Sequence, residues 1–277
     1  MFSHSARRDT MVTFADVSRV IQSAKFRRAA EGFDRRPLIR CANAIGPKML
    51  LLDWRNLEKL GRLPHFAEGV AEDAIAAIDR VGANIAEIFM LSHRWLRPSV
   101  DQNLSNPDDS NFSKARALLE FSKWRRDWGK REHSLVPEVF YWVDYSCFDQ
   151  GDFRNNLVML PLWVASCERI LRFEVDDYHA RAWCRLEILL SHTFAFADHQ
   201  TAIGPGFRAS SCHDGVRERS ILQRPIEGTM TDNNDYDHIV ELEKFTIQYD
   251  PVTTDRATGQ PLPRAEFGKT SVTCFRL

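Results

Sequence analysis

The stretch Ile85–Trp95, "IAEIFMLSHRW", decides how the rest of the chain is read. Its first seven residues are a near-continuous apolar run, which stops at Ser92, His93 and Arg94. So short a run, bounded by polar residues, fits a strand buried on both faces in the middle of a parallel sheet. Two further runs have the same texture, "VFYWVDY" (Val139–Tyr145) and "RILRFEV" (Arg169–Val175). Between them lie "NFSKARALLEFSKWRRDW" and "FRNNLVMLPLWVAS", both of helical period, with Pro161 expected as a kink or a start. Strands alternating with helices predict an α/β fold, a parallel sheet with helices on both faces. Ligands of such sheets sit outside the carboxyl ends of the strands. That edge is expected to hold Ser92, His93 and Arg94, then Asp144 to Gly151, then the start of the helix after the third strand.

That helix falls in "YHARAWCRLEILLSH" (Tyr178–His192), an apolar stretch that keeps one carboxylate, Glu187, a turn after Trp183. Positions four apart share a helix face, so Trp183 and Glu187 lie together with Cys184 and Ile188 beside them. A carboxylate against an indole is either a surface residue at the edge of a buried stripe or an acid in a cleft. Its place at the strand-end edge favours the cleft.

Outward from this core the texture changes. Residues 1–84 read as a helical N-terminal extension, from "FADVSRVIQSAKFRRAAEGF" and "AEGVAEDAIAAIDRV", with breaks at Gly46-Pro47 and Leu63-Pro64. Residues 85–249 form the α/β unit. Within it "HQTAIGPGFRASSCHDG" reads as loop, "RSILQRP" as a short strand and "TDNNDYDHIVELEKFTI" as a helix capped by Thr231 or Asp232. Residues 250–277 read as a turn-rich tail. The 277 residues are 44% hydrophobic and 27% charged with formal net charge -1, the profile of an ordinary soluble globular protein. Near-neutral charge gives no argument for nucleic acid, and the apolar runs are too short to span a bilayer. "MFSHSARRDTMVTF" has no apolar signal core, and the six cysteines form no C-x-x-C pair, so buried reduced thiols and a cytoplasmic location are expected.

Four segments, in order, resemble a divergent Toll/interleukin-1 receptor-like (TIR) domain. "FMLSHRW" is similar to the family's first strand and loop, and "YWVDYSCFDQGDF" to its second strand and BB loop, with Asp144, Phe148 and Gly151 in the matching places. "LPLWVASCERILRF" is similar to the next helix and third strand, and "RAWCRLEILL" to the "WC..E" helix. The resemblance covers a little over half of the chain. The loop after Arg94, which contains Asp108 and Asp109, is longer than the family's, and Asp198 to Ser220 is expected as an insertion relative to it.

The resemblance implies a flavodoxin-like sheet and one of two activities. TIR enzymes cleave the nicotinamide–ribose bond of NAD+, commonly in immune or cell-death responses; other TIR domains are non-catalytic scaffolds that bind one another. In the enzymes the Glu of the "WC..E" helix is essential, a role the resemblance places on Glu187. NAD+ is then the substrate, no cofactor is implied, and a homo-oligomer is expected in the active form. His93, Arg94, Asp144, Phe148, Gly151 and Trp183 are the expected nucleotide-binding residues. Each has a plainer alternative: Arg94 binds phosphate or pairs with Asp144, His93 is a contact or a loop histidine, and Asp144 orients Arg94 or a ribose hydroxyl or ends its strand. Trp183 walls the cleft or packs in the core, and Gly151 supplies positive φ or a close backbone approach. Tyr145 or Trp95 is expected to stack on a ring of the nucleotide. The rival readings are a thiol site at Cys147 or Cys184 with His93 as base, and a metal site from His179, Cys184 and Asp176 or Asp177.

Overall fold

A computed structural model describes residues 11–97, 106–196, 200–206, 210–212 and 224–249. The expected strand at "RSILQRP", most of the expected insertion and the 250–277 tail lie outside the described residues.

The three strands expected from the apolar runs form: β3 (Ala86–His93), β4 (Glu138–Trp142) and β5 (Arg169–Phe173). A fourth, β6 (Gln200–Ile203), extends the set, and all neighbours among β4-β3-β5-β6 pair in parallel. The edges are antiparallel. On one side β1 (Leu50–Asp53) pairs with β4 and with the two-residue β2 (Glu72–Asp73), and on the other β7 (Ser210–Cys212) pairs with β6. The sheet order is β2-β1-β4-β3-β5-β6-β7, so the fold is mixed α/β with a parallel centre.

The segment 1–84 is helical in α1 (Phe14–Gln22), α2 (Ala24–Ala30), α3 (Arg36–Asn43), α4 (Trp54–Leu60) and α5 (Ala74–Val81). It also supplies β1 and β2, so the sheet crosses the expected boundary at 84/85. Leu51 and Leu52 are fully buried on β1, which explains why the "LLL" run joins the sheet. α1 and α3 pack against α8 (Phe153–Ala165), so this segment shares the core of the rest.

Crossovers between parallel strands are right-handed. From β3 the chain moves to β4 through α6 (Ser113–His133), which packs with α4 on one face. From β4 to β5 through α8, and from β5 to β6 through α9 (Ala182–Phe194), it moves the other way, which puts α8 and α9 on the opposite face. The helix expected near the end of the described chain is α10 (Tyr236–Ile247), packed on α9. Asp232 accepts from Asn234 N–H and caps the 3-10 turn Asn233–Asp235 that leads into it. The chain therefore leaves β3 and β5 towards opposite faces, the switch point at which sheets of this kind bind ligands.

α6 starts where two carboxylates cap it. Asp109 accepts from Ser113 N–H and Oγ–H, and Asp108 accepts from the N–H groups of Lys114 and Ala115. Pro161 lies inside α8 and is buried with its neighbours. The start of α9 is fixed by the segment after α9 and β6: Ala182 N–H donates to the Thr229 carbonyl, and Thr229 N–H to that of Ala180. Only glycine fits beside this contact, because a Cβ on Gly228 would lie 2.6 Å from the Ala182 nitrogen.

Candidate functional site

Glu187 lies in the second turn of α9, half-buried beside the end of β3. Its Oε2 accepts from Ser92 Oγ at 2.5 Å, and Ser92 Oγ also bonds the hydroxyl of Tyr178, which is fully buried in the 3-10 turn after β5. A serine hydroxyl has one proton. With that proton given to Glu187, Tyr178 must donate to Ser92, and the chain of bonds runs Tyr178 to Ser92 to Glu187.

Burial raises the Glu187 pKa to about 8, against the Ser92 hydrogen bond; the Asp144 charge raises it further and the His93 backbone N–H lowers it. Deprotonation of this carboxyl therefore falls in the physiological range, where a charged ligand can shift it. Replacing Ser92 by alanine removes the lowering hydrogen bond. The Glu187 midpoint is then expected to move above that of the wild type, measured by carbon-13 NMR titration with the resonance assigned through Glu187→Gln.

Asp144 opens the four-residue helix α7 (Asp144–Cys147) after β4 and is half-buried. It accepts from His93 Nε2 at 3.0 Å, Trp95 Nε1 at 3.2 Å and its neighbour's backbone, Tyr145 N–H, at 2.6 Å. Burial works to raise its pKa, but the His93 imidazole and these donors outweigh it and the pKa is lowered overall. Ser92 and His93, adjacent on β3, point to opposite faces. Glu187 and Asp144 thus flank the strand end from its two sides.

The other expected residues divide. Arg94 pairs with Asp177 and not with Asp144, whose carboxylate His93 takes. The Arg94 bridge ties the loop after β3 to the loop that carries Tyr178, and its Nε has no hydrogen-bond partner among the described residues. Trp183 is held by packing partners: its indole N–H donates to Asp235 at 2.7 Å and its ring meets Phe153 edge-on at 6.2 Å. Phe148 is buried among Trp142, Phe153 and Trp163, an aromatic cluster of the core. Gly151 is exposed in the turn Gln150–Asp152 and its φ is not in the left-handed region; a Cβ there would lie 3.2 Å from Asp149 Oδ1. Trp95 and Tyr145 meet edge to face at 5.6 Å, and His65 from the N-terminal segment packs on Tyr145 at 4.9 Å.

Tyr178 and His65 were missed in the sequence. Tyr178 had a signal, a polar-tipped aromatic directly after a strand at the site edge; His65 had none, since its neighbours are distant in the chain. The thiol reading loses ground on physical grounds. Burial pushes the Cys147 thiol up to about 12 and that of Cys184 well above its ordinary value, which disfavours the reactive thiolate. Among the described residues no group of three or more His, Cys, Asp or Glu could hold a metal ion. No helix there is long and apolar enough to cross a membrane. Comparison of the chain with protein-family models, with curated proteins and with solved structures finds no match to any of them.

Proposed function

We propose that the protein is a TIR-like NAD+ glycohydrolase whose essential acid is Glu187. One observation carries this reading: a half-buried carboxyl, braced by Ser92 and Tyr178, sits at the carboxyl ends of the central parallel strands. The sheet order supports it, since β4-β3-β5-β6 follows the 2-1-3-4 order of flavodoxin-like sheets.

The chemistry needs little more than this. In NAD+ the nicotinamide leaves with the electron pair of the C1′–N bond, so a pyridinium cation departs neutral and requires no proton. The ribose is left with cationic character, and water adds at C1′ with release of its proton. An anion against the ribose hydroxyls steadies that charge in a partly dry cleft. Entry of the pyridinium cation lowers the Glu187 pKa, because a nearby opposite charge favours the charged carboxylate. Arg94 supplies a guanidinium suited to the phosphates, and Asp144 a fixed carboxylate for a ribose hydroxyl. A homo-oligomeric active form, readable by light scattering, belongs to the same proposal.

The pH dependence tests it. Glu187 has a folded pKa above its unfolded value, so its contribution to stability is complete below the unfolded pKa and is lost as pH rises through about 8. Nicotinamide release needs the charged form, so kcat/KM is expected to climb over the same window and level off above about 8. The kcat limb, which reports the complex, is expected at lower pH. Nicotinamide release and urea midpoints measured across pH 5 to 9 check both trends. A flat kcat/KM profile with turnover intact would remove Glu187 from the mechanism, and absence of turnover would leave an association module.

A further inference from the structure

Lys114, in the first turn of α6, is fully buried. Its ammonium donates to the Arg94 carbonyl at 2.5 Å and to the Pro107 carbonyl, and lies 5.5 Å from the centre of the Phe173 ring. The chain around it is built on the same point. Arg97 pairs with Asn106 as an antiparallel bridge, Leu96 N–H donates to the Pro107 carbonyl, and Arg97 Nε donates to the Asp108 carbonyl at 2.8 Å. The two stems of the loop after β3 are thereby joined to each other and to the start of α6.

A buried ammonium is costly to desolvate, and an apolar side chain of similar size would fill the space without that cost. Burial pushes the Lys114 pKa down to about 7, against the attraction of Asp108 and Asp144. What the lysine secures is the backbone of Arg94, whose carbonyl also lies 3.3 Å from His93 Nδ1 and whose guanidinium reaches Asp177 beside Tyr178. We propose that Lys114 is a positioning residue of the site: by clasping the Arg94 and Pro107 carbonyls it fixes the loop after β3, and with it the Arg94 guanidinium, at the strand-end edge that carries Glu187. This rests on reading that edge as a nucleotide site.

The test compares wild type with Lys114→Met, which keeps the volume and removes the donors. Amide hydrogen exchange over 94–97 and 106–108 is expected to quicken roughly tenfold, the equivalent of one hydrogen bond to a charged group. KM for NAD+ is expected to rise by a similar factor with kcat within about twofold, because binding and not chemistry is loosened. A lysine of structural importance alone would shift the melting temperature and leave KM unchanged. Lys114→Gln, whose amide still donates to a carbonyl, is expected to fall between the two, and carries the test if the methionine variant does not fold. Wild-type KM in whichever variant folds, with exchange quickened or not, overturns the proposal. Quickened exchange in a protein that turns over no NAD+ supports the clasp and counts against the glycohydrolase reading alone.

Discussion

Glu187→Gln is expected to lower nicotinamide release from NAD+ by roughly a hundred- to a thousandfold, the usual effect of removing one preorganised electrostatic contact to a transition state. Glutamine keeps the shape and can still accept from Ser92 Oγ, so the Tyr178–Ser92 arrangement has no reason to collapse. What it cannot carry is negative charge. The variant also lacks the deprotonation that makes the wild type less stable as pH rises towards about 8, so its urea midpoint is expected to depend less on pH in that range. Lost turnover together with a flatter stability profile in one folded protein would tie both effects to the same carboxyl. Retained turnover would place the chemistry elsewhere.

Phe148→Ala is expected to destabilise the fold by about 3–5 kcal/mol, the range for removing a buried phenylalanine. The ring is 4% exposed, with Trp163 and Trp142 at 6.4 Å and Phe153 at 5.7 Å between ring centres. These neighbours belong to β4 and α8, which are fixed by the sheet and by α1 and α3, so the cavity cannot close by a small shift. Urea denaturation with an unchanged slope gives the number directly. A small loss of stability with a large rise in KM would instead return Phe148 to the rim of the proposed nucleotide site, the role that the resemblance of its segment to a BB loop implies.

The two variants mark the difference between what the sequence discloses and what it withholds. β3, β4, β5 and α9 were legible because their apolar runs and periods are strong, and with them the edge at which Glu187 stands. β6 was not, since Gln200 and Thr201 are polar yet buried and four residues give no alternation to read. β1 was not, because three leucines amid helical periods do not distinguish strand from helix. Within the site, sequence spacing brings residues to one edge but leaves their partners undetermined. Arg94 and His93 are adjacent, yet alternation along the strand end sends them to different carboxylates, Asp177 and Asp144. Phe148 and Trp183 show the converse case: an aromatic residue next to a site has more apolar surface to bury than a rim can cover, and both turn to packing partners.

Nicotinamide release is the most direct measurement of the central claim. Concentrated wild-type protein and Glu187→Gln are incubated side by side with NAD+ at pH 8, and free nicotinamide is followed by chromatography. The account predicts many equivalents of nicotinamide per wild-type chain and little from the variant. Equal release from both proteins, or none from a folded, self-associated wild type, would contradict it.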